Sequence, residues 1–338
     1  MLTFAERKNR AFLVKNNPQK KFLPVLNRRH IRVKVMQSVY AMHQSKSDEL
    51  EKQEKFLKYS QDAVQDLYLM MLSLLIEIAK SEKMFLELSS KKHLATTLEK
   101  APNFKFVDNR VFNILIESNK LGIALTDRKI DNWHLHSDYV QLILNEIKGS
   151  ELYSDYIESE HSSFNDDLKF IVAVYTDIIA PNEKIYDFVQ DHILTWTDDY
   201  PLVNTQILKD LGNLKSNMTD NFKPTKLFKD EEDQEFSVNL FRKTVLNEVD
   251  FQKEYKDKTP NWDIDRIPKL DIIVMNMAIC EFLKFPSIPT KVTINEYLEI
   301  TKEYSTPNSS VFVNGILDVL VKEMTLKNKI QKIGRGLM

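Results

Sequence analysis

An all-α protein is what this 338-residue sequence predicts, and three observations carry that expectation. Glycine is scarce: six residues, where ~7% usage would give roughly 24, so turns that need positive φ are few. Apolar residues recur at three- and four-residue spacing along most of the chain. No stretch alternates at period two for long enough to argue a sheet. The length suits about two domains at ~150 residues each. A single cysteine, Cys280, leaves no internal disulfide and suits a reducing compartment. The N-terminus lacks an apolar signal region, and the most apolar run, LYLMMLSLLIEIA at 67–79, contains Glu77 and is too short to span a bilayer. A soluble, cytoplasmic protein with no membrane association is expected.

Charge divides the chain unevenly. Residues 1–46 carry eleven Lys and Arg against Glu6 alone, a net +10 that leaves −12 for the rest of a chain of net −2. A cationic arm on an acidic body is the electrostatic footprint of a polyanion binder. Residues 1–25 read as that arm. From 26 to 44 the sequence LNRRHIRVKVMQSVYAMHQ becomes amphipathic, with Ile31, Val35, Val39 and Met42 on one stripe and Asn27 as the N-cap. Arg29, Arg32, Met36 and Tyr40 follow an adjoining face. Arg28, Arg29 and Arg32 stand at the helix start, where cations oppose the dipole and no neighbouring residue is acidic. Local helix stability does not explain them, so a ligand is expected.

Downstream, 49–95 reads as one or two long helices, apolar over most of their circumference and therefore buried. Further helices are expected at about 109–121 (ending at Gly122), 137–148 (ending at Gly149), 164–180, 182–194 and 200–215. The stretch NFKPTKLFKDEEDQ at 221–234, with Pro224 and a charge run, is the expected boundary. Helices follow at about 235–257, 263–285, 289–305 and 308–328. In the last of them Gly315 lies inside the pattern, at a cost of ~1 kcal/mol against Ala, which predicts close backbone approach by a neighbouring helix or a ligand.

The catalytic inventory is thin. A glycine-rich loop, CxxC, HExxH and GxSxG are all missing, so nucleotide, zinc and serine-hydrolase chemistry lack their geometry. His134 and His136 in NWHLHSDY have no companion ligands at metal spacing. Asp198 and Asp199 in TWTDDY read as surface residues that complement a helix dipole. No enzyme, no cofactor and no metal are expected.

Four stretches together carry a family resemblance. NRRHIRVKVMQSVYA resembles the opening Arg-rich helix of the NusB family, and NWDIDRIPKLDIIVMNMAICEFL, IPTKVTINEYLEITKEYS and FVNGILD resemble its C-terminal helices in order and spacing. The similarity covers about 26–47 and 236–322. It implies a NusB-like helical bundle interrupted by an inserted helical region. The division is then 1–25 (arm), 26–60 (first part of the module), 61–230 (insertion), 231–325 (second part) and 326–338 (basic tail). It further implies an RNA-binding transcription antitermination factor that binds boxA-like single-stranded RNA with NusE, the ribosomal small-subunit protein. This places it in a transcription elongation complex on rRNA operons. Arg28, Arg29, Arg32, Tyr40, Phe312 and Asn314 match RNA-contacting positions, and Tyr40, Asp265 and Asp271 match partner-facing ones. The family usually has a basic residue where this chain has Val311, an acidic one at Asn308, and Leu-Arg at Met275-Asn276. The alternative is a NusB-fold protein scaffold with little RNA specificity of its own. The NusB-like domain of an RNA methyltransferase is disfavoured, because a glycine-rich cofactor segment is missing.

Overall fold

The computed structural model describes residues 24–92, 96, 100–218, 222–256 and 267–337. Every regular element among the described residues is helical. The chain forms two compact units, one containing 62–227 and the other containing 26–61 and 228–338.

Helix α1 (Arg28–Ser45) opens the second of these. Asn27 caps it as the sequence predicts: its side-chain oxygen accepts from the N–H groups of Arg29 and His30 at 2.9 and 3.1 Å. The Ile31, Val35, Val39 and Met42 stripe is buried. Helix α2 (Leu50–Ser90) is one 41-residue helix, and the division between the units falls within it, after Gln61.

The unit containing 62–227 is built on the buried stretch of α2, where Leu67 to Leu72 and Leu74 to Ile76 are all below a tenth exposed. Around it lie α3 (Arg110–Glu117), α4 (Asn119–Asp127), the single turn α5 (Asn132–Leu135) and α6 (Ser137–Lys148). They are followed by α7 (Glu151–Glu158), α8 (Phe164–Val174), α9 (Glu183–His192) and α10 (Trp196–Leu211). Two indole N–H groups fasten helices to α2: Trp133 Nε1 donates to the Met70 carbonyl at 2.7 Å and Trp196 Nε1 to that of Ala63 at 2.6 Å. Gly122 does not end a helix. Ser118 breaks the expected segment instead, because its hydroxyl caps α4 through Leu121 N–H (3.1 Å) and donates to the Phe222 carbonyl (2.9 Å). Asp198 and Asp199 do open α10, but Asp199 is buried and is not the surface residue expected.

In the other unit, α11 (Glu231–Leu246) and α12 (Glu248–Lys256) replace the single helix expected there. They are followed by α13 (Lys269–Lys284), α14 (Thr290–Tyr304) and α15 (Ser309–Leu326). Helix α13 is the centre, packed against α1, α11, α12, α14 and α15, and Ile273 through Phe282 are buried without a break. A helix apolar on all sides belongs in a core. Two polar residues nonetheless sit inside it, Asn276 and Glu281, and each is satisfied. Asn276 accepts from Tyr255 Oη and donates to Glu248, both at 3.1 Å. Gly315 has no heavy atom within 4 Å of where a Cβ would stand and is exposed, so the close approach expected at this glycine is not made within the chain. At 328–337 the chain lies against the end of α13. Lys332 Nζ donates to the carbonyls of Glu281 and Phe285 at 3.0 Å each, and Ile333 N–H to that of Pro286 at 3.1 Å.

Candidate nucleic-acid interface

The three arginines at the start of α1 are neutralised, though by carboxylates more than 200 residues away in sequence. Arg28 is half-buried, with Nε on Asp233 Oδ1 at 2.7 Å and Nη2 on Glu232 Oε1 at 2.6 Å. Its guanidinium lies 4.9 Å from the centroid of Phe236. Arg29 grips both oxygens of Glu296 at 2.9 Å and keeps 43% of its side chain exposed. Arg32 is the opposite case. It is 2% exposed, with Nε and Nη2 on the two oxygens of Glu281 at 2.6 and 3.0 Å and Nη1 on the carbonyl of Arg28 at 3.2 Å.

Glu281 is fully saturated. Besides Arg32, it accepts from Tyr297 Oη at 2.8 Å and Thr293 Oγ1 at 3.0 Å. Burying a charge pair this deeply is tolerated only where the remaining lone pairs are hydrogen-bonded, and here they are. Burial works against the Arg32 cation, but the charge and hydrogen bonds of Glu281 outweigh it and raise its pKa further above the arginine range. Burial likewise pushes the Glu296 carboxyl up, and the hydrogen bonds and charge of Arg29, then the charge of Arg32, more than reverse this.

The expectation that all three arginines await an external anion is therefore corrected. Arg32 is a core residue whose guanidinium is already committed to Glu281 and the Arg28 carbonyl. Arg29 is the most exposed of the set, and Arg28 keeps about a third of its side chain in solvent. Tyr40 lies about 16 Å along α1 from Arg29 at ~1.5 Å per residue and is half-buried. Phe312 and Asn314 lie half-buried in the first two turns of α15, with Asn314 Nδ2 3.4 Å from Asp318. Asp271 does not face outward as expected: it is 1% exposed and accepts from Ser305 Oγ at 2.5 Å. That bond fixes the turn ahead of α15, where Ser305 and Thr306 also bond Ser309. Asp265 lies outside the described residues. Glu296 bonds Arg29 across from α14 to α1, whereas Lys302 and Glu299 pair along α14 at 2.7 Å.

Sequence reasoning missed Glu281, Glu232 and Asp233. The signal for Glu281 was present, because a lone carboxylate inside the apolar run MNMAICEFL, if buried, must be paired or hydrogen-bonded. No group of three or more His, Cys, Asp or Glu side chains among the described residues is placed to hold a metal ion. His134 instead lines a cavity of about 390 Å³ with Trp133, Glu77 and Lys80.

The comparisons with known proteins bear mostly on the same unit. The NusB family model matches residues 202–322. The transcription antitermination protein NusB of Salinibacter ruber is 37% identical over 112 residues, which are 33% of this chain and 70% of that protein. This chain belongs to the NusB family. Its NusB counterpart in Chloroherpeton thalassium is 36% identical over 115 residues (34% of this chain, 54% of that protein). That of Finegoldia magna is 39% identical over 89 residues (25% and 65%). No solved structure matches. Helix α1 lies outside the family-model match but within the same compact unit as α11 to α15. The chain is thus a transcription antitermination family member with a large additional helical region, and no described helix is long and apolar enough to cross a membrane.

Proposed function

We propose that this protein is an RNA-binding antitermination factor that binds boxA-like single-stranded RNA together with NusE in rRNA operon transcription. The observation that carries the reading is the solvent-facing guanidinium of Arg29, held open by a bidentate carboxylate at the root of the +10 segment. Arg28 and Arg29 supply phosphate contacts, with Tyr40, Phe312 and Asn314 on the surrounding surface. Arg32 acts only through the core, by fixing the start of α1 against α13. Asp271 acts on the partner side by shaping the turn before Phe312. The residues at 61–230 are an insertion in the NusB module.

A second reading has its own support. Because Glu232, Asp233 and Glu296 already neutralise the exposed arginines, the unit also suits a protein scaffold with little RNA specificity. Titration of boxA-like and scrambled single strands, with and without NusE, separates the two. RNA binding should weaken with salt at a log–log slope of about −1.4 for two arginine–phosphate contacts, steepened by the arm. A flat salt response and equal affinity for scrambled RNA would leave the scaffold reading in its place.

A further inference from the structure

Near the end of α2 the helix stops being buried. Met84, Phe85 and Leu88 are 60%, 53% and 60% exposed, although the same helix is buried on nearly every side between Leu67 and Ile78. Spacings of one, three and four residues place the three side chains next to each other on one helix face. Single exposed leucines are ordinary, but three contiguous large apolar side chains mark a surface that something covers. The rim is cationic. Lys92 Nζ stands 6.0 Å and Lys148 Nζ 5.2 Å from the Phe85 ring centroid, and Lys83 and Lys91 are exposed beside them. Lys148 is held in place by the buried Glu82 at 2.7 Å. Glu87 is the exposed acid of the same turns.

We propose that this face of α2 docks an acidic amphipathic helix of a protein partner. Charge selects the partner. Elsewhere in the same unit, residues 131–210 carry sixteen Asp and Glu against four Lys and no Arg, so a basic partner is drawn there and an acidic one to the lysine-rimmed face. Shape selects a helix. Methionine and leucine adapt to apolar side chains arriving at three- and four-residue spacing, and the lysine ring meets the flanking carboxylates. Single-stranded RNA fits less well, because stacking needs flat π-faces and Phe85 is the one ring of the three.

The test uses the full-length protein and a labelled synthetic peptide with Leu and Phe at helical spacing among Glu residues, beside a scrambled peptide of equal composition. Fluorescence anisotropy should show saturable binding of the patterned peptide, tighter than the scrambled one by at least about tenfold. Phe85→Ser with Leu88→Ser should lower that affinity by about tenfold, and Lys91→Glu with Lys92→Glu should lower it and flatten its salt dependence. Met84→Glu provides a single, fully surface variant should the double serine variant melt early. Equal binding of the two peptides would overturn the proposal. So would a Phe85-dependent affinity for poly-uridine or for phosphatidylserine vesicles that exceeds the affinity for the peptide. Self-association that Phe85→Ser abolishes would assign the face to a second copy of the chain instead.

Discussion

In the unit that carries most of the family match, the most deeply buried carboxylate, Glu281, is paired with a cation, Arg32, delivered by a helix 249 residues earlier in the chain. In the unit containing 62–227 one buried carboxylate, Asp210, is held by neutral donors instead: Tyr68 Oη at 2.7 Å, Thr225 Oγ1 at 2.9 Å and Gln206 Nε2 at 3.0 Å. The first arrangement depends on a full charge pair, so removing one member strands the other in the core. The second loses hydrogen bonds but strands no charge. An arginine motif that invites a ligand reading is thus partly a folding device, which joins α1 to α13 across the whole of the inserted region.

The largest expected effect breaks that contrast directly. Glu281→Gln should destabilise its unit by about 3–5 kcal/mol, because the buried Arg32 cation loses its bidentate partner and keeps only Glu296, 3.8 Å from Nη1. Asp210→Asn should cost its unit about 1–3 kcal/mol, the range for a disturbed buried hydrogen-bond set. Chemical denaturation followed by hydrogen exchange in each unit reads both. Equal losses would mean that the charge pair is no more demanding than the neutral network.

Acid sharpens the comparison, because Asp210 and Glu296 respond with opposite sign. Burial raises Asp210 above its ordinary 3.8, despite the bonds from Tyr68, Thr225 and Gln206. Its contribution is therefore fullest below that value and declines as pH rises through the raised one. Glu296 is held below its ordinary 4.5 by Arg29 and Arg32 against the opposing effect of burial. Its contribution is present above 4.5 and lost as pH falls through the lowered value. As pH drops from neutral into this range, amides of α14 should lose protection while those at the end of α10 hold or gain it. A parallel loss in both helices would contradict the assignment.

The smallest effect concerns Gly315. With open space where a Cβ would stand and a helical backbone, Gly315→Ala should raise stability by about 0.5–1 kcal/mol. A destabilised variant would show that something in the chain does use that space.

Much of this molecule was legible in its sequence. The all-helical class, the Asn27 cap and the buried stripe of α1 follow from periodicity and from residue types with a single local role. The helical content of 61–230 was legible for the same reason, as was the burial of 67–79. What sequence could not supply was the partner of each charge. Arg29 and Arg32 are three residues apart on one helix, and nothing local tells which one turns inward; that depends on Glu281 and Glu296, which arrive from helices near the other end of the chain. Asp271 looked like an exposed first-turn acid until the Ser305 turn folded over it. Gly122 and Ser118 show the converse, where a serine with two hydrogen bonds outranks a glycine as a helix boundary.

The division of labour between Arg29 and Arg32 is the central claim, and RNA affinity of Arg29→Ala, measured alongside its thermal melt, tests it most directly. An exposed ion pair contributes at most about 1 kcal/mol, so the melt should stay close to that of the parent protein. Affinity for boxA-like RNA, with NusE present, should fall by about five- to tenfold, in keeping with one lost charge-assisted phosphate contact. Unchanged RNA affinity in a variant that melts normally would contradict the account and hand the start of α1 to the scaffold reading.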